Sequence, residues 1–451
     1  MTGLFTSRFM KKFFNTHKAK IIDLAVVLGV LSIILFWVFH ITPDMNNILA
    51  GPDEAMRFMI PNFIFEHGYI PTGYETAIHG NWSYAYYPQL LGAIVSSIFM
   101  EIVSLFTKDP AWLVWAARLT SVLFGVIAAL FVRRSTRLLL GNSRYKGVIG
   151  NLSLVLFALL PQVTFLSSYV NNDIIALAGV SIIVYACISV YKTQLSIASS
   201  AWFAAGVVFA VLGYLNSYGF VLAGFIYMLV KLIQWYKEVK NKRMLLKYIL
   251  ILFGIPALLC LPFFIRNMFL YGGDLFGVST FRIEYLKWVA ETGIVLQTPY
   301  HEGLLSLLFA NRWPLETIKS FVMGYFGGWG RGLGDIQYNA YYVLAGVGLV
   351  GLVAYLRQLK AKSGRKLLWA LLFLSIAITV GLTLYYTLRV DYQPQGRYII
   401  YIVIPLVLGI AVGLAHLVKT FIKPQYVNYA LILIGLLYGA LHLSIIYKTF
   451  F

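Results

Sequence analysis

Gly51-Pro52-Asp53-Glu54 puts two adjacent carboxylates where a connecting segment meets a predicted helix, soon after the first long apolar run. A carboxylate so placed can accept a proton from a substrate hydroxyl. Pro52 also suits the first turn of a helix, and acids there are favoured by the helix dipole, so an N-terminal cap explains the same residues equally well. Three arginines sit where a connecting segment enters an apolar run. They are Arg118 in Trp115-Ala116-Ala117-Arg118, Arg266 in Phe264-Ile265-Arg266-Asn267, and Arg397 in Gln395-Gly396-Arg397-Tyr398. A guanidinium grips phosphate through two parallel hydrogen bonds, and a single arginine at a membrane surface also simply snorkels. Arg331, inside Gly327-Gly328-Trp329-Gly330-Arg331-Gly332, adds a fourth candidate, with glycines that bring backbone amides close to an anion or merely make a turn. Asp173, in Tyr169-Val170-Asn171-Asn172-Asp173, can cap the helix that follows or join Asp53 in an acidic site.

Other patterns carry less. Gly346-Val347-Gly348-Leu349-Val350-Gly351 matches a nucleotide-binding spacing, but it lies inside an apolar run with no strand before it, where small residues serve helix packing. Asn81-Trp82-Ser83 matches a glycosylation sequon, a short and weak pattern. His67, His79, Glu66 and Glu75 lack metal-ligand spacing and read as solvated loop residues. The two cysteines, Cys187 and Cys260, sit in apolar runs and read as packing residues.

The elements that position these residues follow from composition. Of 451 residues, 60% are apolar and 12% charged, and the mean hydropathy is +0.78. Soluble proteins carry roughly 25% charged residues, so an integral membrane protein with many spans is the class that remains. The net charge of +19 is assigned to cytoplasmic loops, not to nucleic-acid binding. Basic clusters at 8–20, 133–146, 231–247 and 357–366 are placed inside the cell. The apolar runs compatible with that are 21–40, 112–132, 148–166, 174–191, 199–218, 219–236, 248–265, 337–356, 367–388, 399–418 and 427–446, about eleven spans with a cytoplasmic N-terminus. Pro88–Phe106 is read as an interfacial helix, because a crossing there would put the 133–146 cluster outside. With this topology only Asp23 and Glu238 among the acids lie inside. The expectation is a single all-α polytopic membrane domain over 1–451, in the plasma membrane, with outer loops 41–111 and 266–336 carrying an extracytoplasmic site.

Taken together, these residues resemble the GT-C membrane glycosyltransferases, which include the protein O-mannosyltransferases and the lipid A aminoarabinose transferases. The resemblance rests on the acidic motif after the first span, the interfacial helix, and the segments WAARLTSVLFGVIAAL, SSYVNNDIIALAG, RNMFLYGGDLFG, FVMGYFGGWG and QGRYIIYIVIPLVLG. It runs from about residue 21 to 418 and is nearest to a bacterial subgroup described as a domain of unknown function. It implies a GT-C-like bundle and an inverting transferase that takes sugar from a polyprenyl-phosphate in the outer leaflet to a glycan, lipid or protein acceptor. By that resemblance Asp53 is the catalytic carboxylate with Glu54 beside it. The resemblance also implies that Arg118 sits near the donor phosphate, that Arg397 makes a further phosphate or donor contact and that Asp173 lines the cavity; Arg266 and Arg331 stay phosphate candidates from their own sequence contexts, and Asn172 and Tyr398 are added as cavity candidates beside Asp173 and Arg397. Many relatives place a basic residue ahead of the interfacial helix. Tyr86-Tyr87-Pro88-Gln89-Leu90 has none, which leaves donor identity open. Some relatives use a divalent metal and others do not, so no cofactor is assigned.

A transporter or flippase for a lipid-linked or polyanionic envelope precursor shares the spans and the arginines. Acids gathered in outer loops, with few ionisable groups in mid-span, favour the enzyme. A catalytically dead scaffold is a third reading, opposed by the intact Asp53-Glu54 pair.

Overall fold

The computed structural model describes residues 2–44, 51, 53–78, 83–293, 298–323, 334–358 and 363–451, with side chains from residue 20 onward except those of 363–366. α1 (Thr2–His40) leads into α2 (Glu54–His67), a 3-10 turn (Tyr84–Tyr86), α3 (Leu91–Ser104) and the long α4 (Pro110–Leu140). α5 (Lys146–Ala158), α6 (Pro161–Leu166), α7 (Asp173–Thr193), α8 (Ile197–Gly213) and α9 (Tyr218–Val239) follow at close intervals. α10 (Lys242–Ile249) continues through a π turn (Leu250–Gly254) into α11 (Ile255–Leu270). The second long connecting segment holds α12 (Val278–Thr292), α13 (Leu304–Phe309) and α14 (Trp313–Val322). α15 (Asp335–Arg357), α16 (Ser363–Arg389), a 3-10 turn (Gly396–Ile402), α17 (Val403–Phe421) and α18 (Val427–Phe450) close the bundle. There is no strand among the described residues.

Nine helical stretches among the described residues are long and apolar enough to cross a membrane. All eleven expected runs are helical, and two of them fall short of that length. The run 148–166 breaks into α5 and α6 because Pro161 cannot continue a helix and forces Leu160 into extended backbone. The run 199–218 yields α8, whose 17 residues extend about 26 Å. α3 has 14 residues, about 21 Å, too short to cross a hydrocarbon core of about 30 Å.

The break at Pro161 frees carbonyls deep in the bundle, and side chains satisfy them. Tyr438 Oη donates to Leu156 O at 3.0 Å, Thr164 Oγ1 to Ala158 O at 2.6 Å, and His442 Nδ1 to Leu159 O at 2.9 Å. Trp37 Nε1 donates to His442 Nε2 at 3.3 Å, which fixes the imidazole as the neutral Nδ1–H tautomer. This polar seam joins α1, α5 and α18 where a bare helix end would otherwise be unpaired in an apolar medium.

α7 is apolar on every face and buried along nearly its whole length, as expected of a central helix. It packs against α4, α8 and α9. Small residues bring helices close: a side chain at Gly348 or Gly351 of α15 would overlap Ile410 and Gly413 of α17. The glycine-rich stretch is thus a packing surface, as its place in an apolar run suggested. Cys187 and Cys260 are buried and free.

Charge separates along the helices. At one end Asp23 of α1 meets Arg133, Arg137 (2.7 Å) and Asn151 (3.0 Å). Arg118 lies about 22–28 Å from those arginines along α4, at the other end, beside the start of α2.

Candidate active site

The start of α2 is fixed by Glu54 and Arg118. Glu54 is fully buried, and Arg118 donates to it from Nε and Nη2, each at 2.8 Å. Backbone N–H groups of Val170 (2.9 Å) and Gly51 (3.1 Å) complete the carboxylate's shell. The rest of the guanidinium donates to the end of α1: Nη1 to Val38 O and Ile41 O, Nη2 to Thr42 O. Helix C-termini leave carbonyls without partners, and a buried arginine satisfies three of them here. All five N–H donors of the guanidinium are committed to protein acceptors, and its exposure is zero. The expectation that Arg118 grips a phosphate is corrected: it has no donor left. Glu54 is likewise a clamp between α1, α2, α4 and the turn before α7.

Asp53, one residue earlier, is free of that clamp. Its backbone is left-handed, with φ 57°, which an L residue adopts at a cost and Asp more readily than most. This conformation turns the carboxylate away from the free amides of α2, and it makes no cap bond. The capping explanation therefore fails for Asp53. Its Oδ2 accepts instead from Arg397 Nη2 at 3.1 Å and Tyr84 Oη at 3.5 Å. Burial pulls the Asp53 pKa upward. Arg397 and Arg57, together with hydrogen bonds from Arg397 and Tyr84, outweigh it and hold the carboxyl below its ordinary value. Burial pushes the Tyr84 phenol up to about 12, so it stays a donor.

Arg397 reaches this point from the opposite end of the chain. It follows Gly396, where a side chain would overlap the backbone of Phe321 and Thr317 in α14. Gly396 N donates to Ser320 Oγ at 2.6 Å, locking the 3-10 turn onto α14. The Gln395-Gly396-Arg397-Tyr398 motif thus works as a close-approach glycine that aims the next residue. Tyr398 stands beside Arg397 and Tyr386 at the rim.

The second acid, Asp173, opens α7 fully buried, 3.8 Å from Arg57. It does not cap its helix; Asn171 Oδ1 accepts from Ile174 N in that role. Asn172 Nδ2 donates to Gln89 O at 3.0 Å, pinning the approach to α3. Arg57 is the residue that sequence reading passed over as one more loop charge. It is buried in α2, four positions after Asp53, with its guanidinium carbon 4.4 Å from the Tyr84 ring centre. Its Nε and Nη1 have no hydrogen-bond partner among the described residues. An arginine one helical turn from Asp53, flanked by Met56, Phe58, Met59 and Ile60, was the available signal. Arg57, Tyr84, Gln89, Asn171 and Asn172 line a pocket of about 10 Å³, at the lower limit for one water.

One candidate lies elsewhere. Arg266 donates to Pro71 O and to Asn267 Oδ1 (3.1 Å), holding the loop after α2 and not the Asp53 cluster. Arg331 lies outside the described residues, as do Pro52, His79, Asn81 and Trp82. Glu75 accepts from Thr72 and Gly73, and Glu66 from Asn62, as loop and helix residues do. Among the described residues no three His, Cys, Asp or Glu side chains gather to hold a metal. Asp53 and Asp173 are each faced by a guanidinium, so as they stand these two carboxylates do not form the all-oxygen shell that a calcium or magnesium ion takes.

The site is thus two acids each faced by an arginine, the Asp173–Arg57 pair buried and the Asp53–Arg397 pair partly exposed, with Tyr84 touching both Asp53 and Arg57. It can hold an anion against guanidinium and take a proton at Asp53.

No family model matches the sequence, and no curated protein matches it. Solved structures similar to it include the oligosaccharyltransferase AglB from Archaeoglobus fulgidus in complex with an inhibitory peptide and a dolichol-phosphate. That structure is 15% identical with a TM-score of 0.49, the match covering 97% of this chain and 55% of that one. The apo form of the Archaeoglobus fulgidus oligosaccharyltransferase is 16% identical with a TM-score of 0.49, covering 95% and 55%. ArnT from Cupriavidus metallidurans in the apo state is 14% identical with a TM-score of 0.40, covering 89% and 78%. The chain spans about half the length of the oligosaccharyltransferase structures it matches.

Proposed function

We propose that this protein is a membrane glycosyltransferase of the GT-C type, moving a sugar from a polyprenyl-phosphate donor to an acceptor hydroxyl outside the plasma membrane. The observation that carries the reading is the pairing of Asp53 with Arg397 and of Asp173 with Arg57 at one end of the bundle. The positive-inside rule assigns the basic end, around Arg133 and Arg137, to the cytoplasm, and that supports a site at the outer leaflet. The motifs that resemble the GT-C enzymes in sequence supply most of these residues.

The donor phosphate takes Arg397 and the unspent donors of Arg57. Negative charge grows on that phosphate as the glycosidic bond breaks, and fixed guanidiniums stabilise it. The acceptor oxygen attacks the anomeric carbon from the opposite face, the bond to phosphate oxygen breaks, and the polyprenyl phosphate leaves with the electron pair. Asp53 takes the acceptor's proton, and one displacement inverts the anomeric centre. At rest Arg397 keeps Asp53 ionised but weakly basic. A phosphate that draws Arg397 toward itself raises the basicity of Asp53 as the donor binds. Asp173 holds Arg57 in place, and the Glu54–Arg118 clamp fixes the start of α2, and with it Asp53, relative to α1 and α4.

The test is incubation of detergent-purified protein with a polyprenyl-phosphate sugar. Release of polyprenyl phosphate without any ion gradient supports the transferase. Bound donor that is never turned over, but crosses a bilayer in vesicles, overturns it in favour of a flippase.

A further inference from the structure

Aromatic rings lead away from Asp53 along one side of the molecule. Tyr84, which donates to Asp53, lies 6.2 Å from Tyr87, ring centre to ring centre. Tyr87 lies 5.1 Å from Phe281 at the start of α12. Phe281 and Tyr285 are 6.0 Å apart with planes inclined by only 5°, and Tyr285 and Trp288 are 6.0 Å apart at 30°. The spacing i, i+4, i+7 keeps the last three rings on one face of α12. The start of α12 is anchored to the Tyr84–Tyr87 segment. Gly277, at φ 67°, sits so close to Tyr86 O that a side chain would overlap it, and Asn267 Nδ2 donates to the same oxygen at 2.8 Å. The strip is therefore held in register with the site.

The five rings are only partly buried, and no residue of α12 is fully buried. Glu284 lies on the same face, engaged by Lys287 at 2.8 Å. A run of aromatic faces interrupted by a carboxylate and phenol hydroxyls is chemistry for a sugar chain. The apolar C–H face of a pyranose rests on the negative face of a ring, while its hydroxyls take polar partners. An isoprenoid tail has no use for Glu284 or the hydroxyls.

We infer that the face of α12 carrying Phe281, Tyr285 and Trp288 binds a carbohydrate acceptor and feeds its terminal hydroxyl past Tyr87 and Tyr84 to Asp53. This rests on the transferase reading and names its acceptor class as a glycan, in preference to a peptide or a lipid.

The experiment uses the full chain in nanodiscs and three soluble probes, chitohexaose, cellohexaose and an α-linked mannohexaose, titrated by calorimetry. At least one is expected to bind saturably. The double variant Tyr285→Ala, Trp288→Ala should weaken it about tenfold. Leu286→Ala, on the exposed side of α12, should leave binding unchanged, and melting temperatures should match. Failure of all three glycans to bind wild-type protein, or equal binding by the double variant, overturns the assignment. Saturable binding of a peptide or a diacylglycerol that depends on Tyr285 and Trp288 overturns it as well. Hydrolysis of the polyprenyl-phosphate sugar by water, measured in the same preparation, separates the two readings. If it persists and depends on Asp53, only the glycan strip has failed; if it is absent, the transferase reading has failed.

Discussion

Arg118 offers the sharpest contrast between what its sequence context suggests and what its geometry permits. Replacing it with Met leaves Glu54 buried with only the N–H groups of Val170 and Gly51, and takes the donor from Val38, Ile41 and Thr42. Removing one partner of a buried ion pair costs about 3–5 kcal/mol. Some freed carbonyls turn to solvent at the end of α1, so about 4 kcal/mol is the expected loss. Arg118→Lys keeps the charge but brings three donors to five contacts and loses the fork, for about 2 kcal/mol. Combining Arg118→Met with Glu54→Gln removes the stranded charge, so the double variant should be less destabilised than the sum of the singles by about 1–3 kcal/mol. The assay is unfolding in mixed micelles, with donor-lipid affinity measured on the folded fraction. Affinity should hold within about twofold, less than 0.5 kcal/mol. A lysine variant of unchanged stability whose donor affinity collapses would refute the clamp and restore Arg118 as a phosphate ligand.

His442→Leu strands Leu159 O and Trp37 Nε1 in the bundle and should cost about 2 kcal/mol in the same unfolding assay, with turnover by the folded protein unaffected. Arg397→Gln removes the strongest influence holding the Asp53 carboxyl down. The base must be ionised, so the acid limb of the rate–pH profile should move to higher pH in this variant; an unmoved limb would assign that limb to another group. The depressed Asp53 pKa also stabilises the wild-type fold above the ordinary carboxylate range, and this stabilisation should fade as pH falls through the folded value. Orientation is checked with Tyr74→Cys and Asn142→Cys, both exposed positions, in a background lacking Cys187 and Cys260. An impermeant thiol reagent on whole cells should label residue 74 and spare residue 142; the reverse pattern would invert the topology.

The class of fold was legible because a chain this poor in charge has few alternatives, and apolar runs of helical length mark themselves. Where the reading slipped, the cause was tertiary. Pro161 announces a break, but the run around it is apolar throughout, and only Tyr438, Thr164 and His442 show how the broken turn is satisfied. Asp53 and Arg397 were each visible as a motif, but their contact joins residues 344 apart in the chain. Cap and ligand could not be told apart at Asp53 until its left-handed backbone placed the carboxylate away from the helix amides. Arg118 misled because its acceptors are mostly backbone carbonyls, which no residue type advertises. Arg57 stayed hidden among loop charges although it follows Asp53 by one helical turn.

The central claim is that Asp53 takes the acceptor proton. Asp53→Asn keeps the side-chain size and can still accept from Arg397 and Tyr84, but it cannot take a proton. The direct measurement is single-turnover sugar transfer by purified wild-type and Asp53→Asn protein, with donor binding and thermal stability recorded on the same samples. The account predicts intact donor binding, a fold as stable as wild type to within about 1 kcal/mol, and turnover reduced by roughly 10²–10⁴-fold. Wild-type turnover in Asp53→Asn would contradict it.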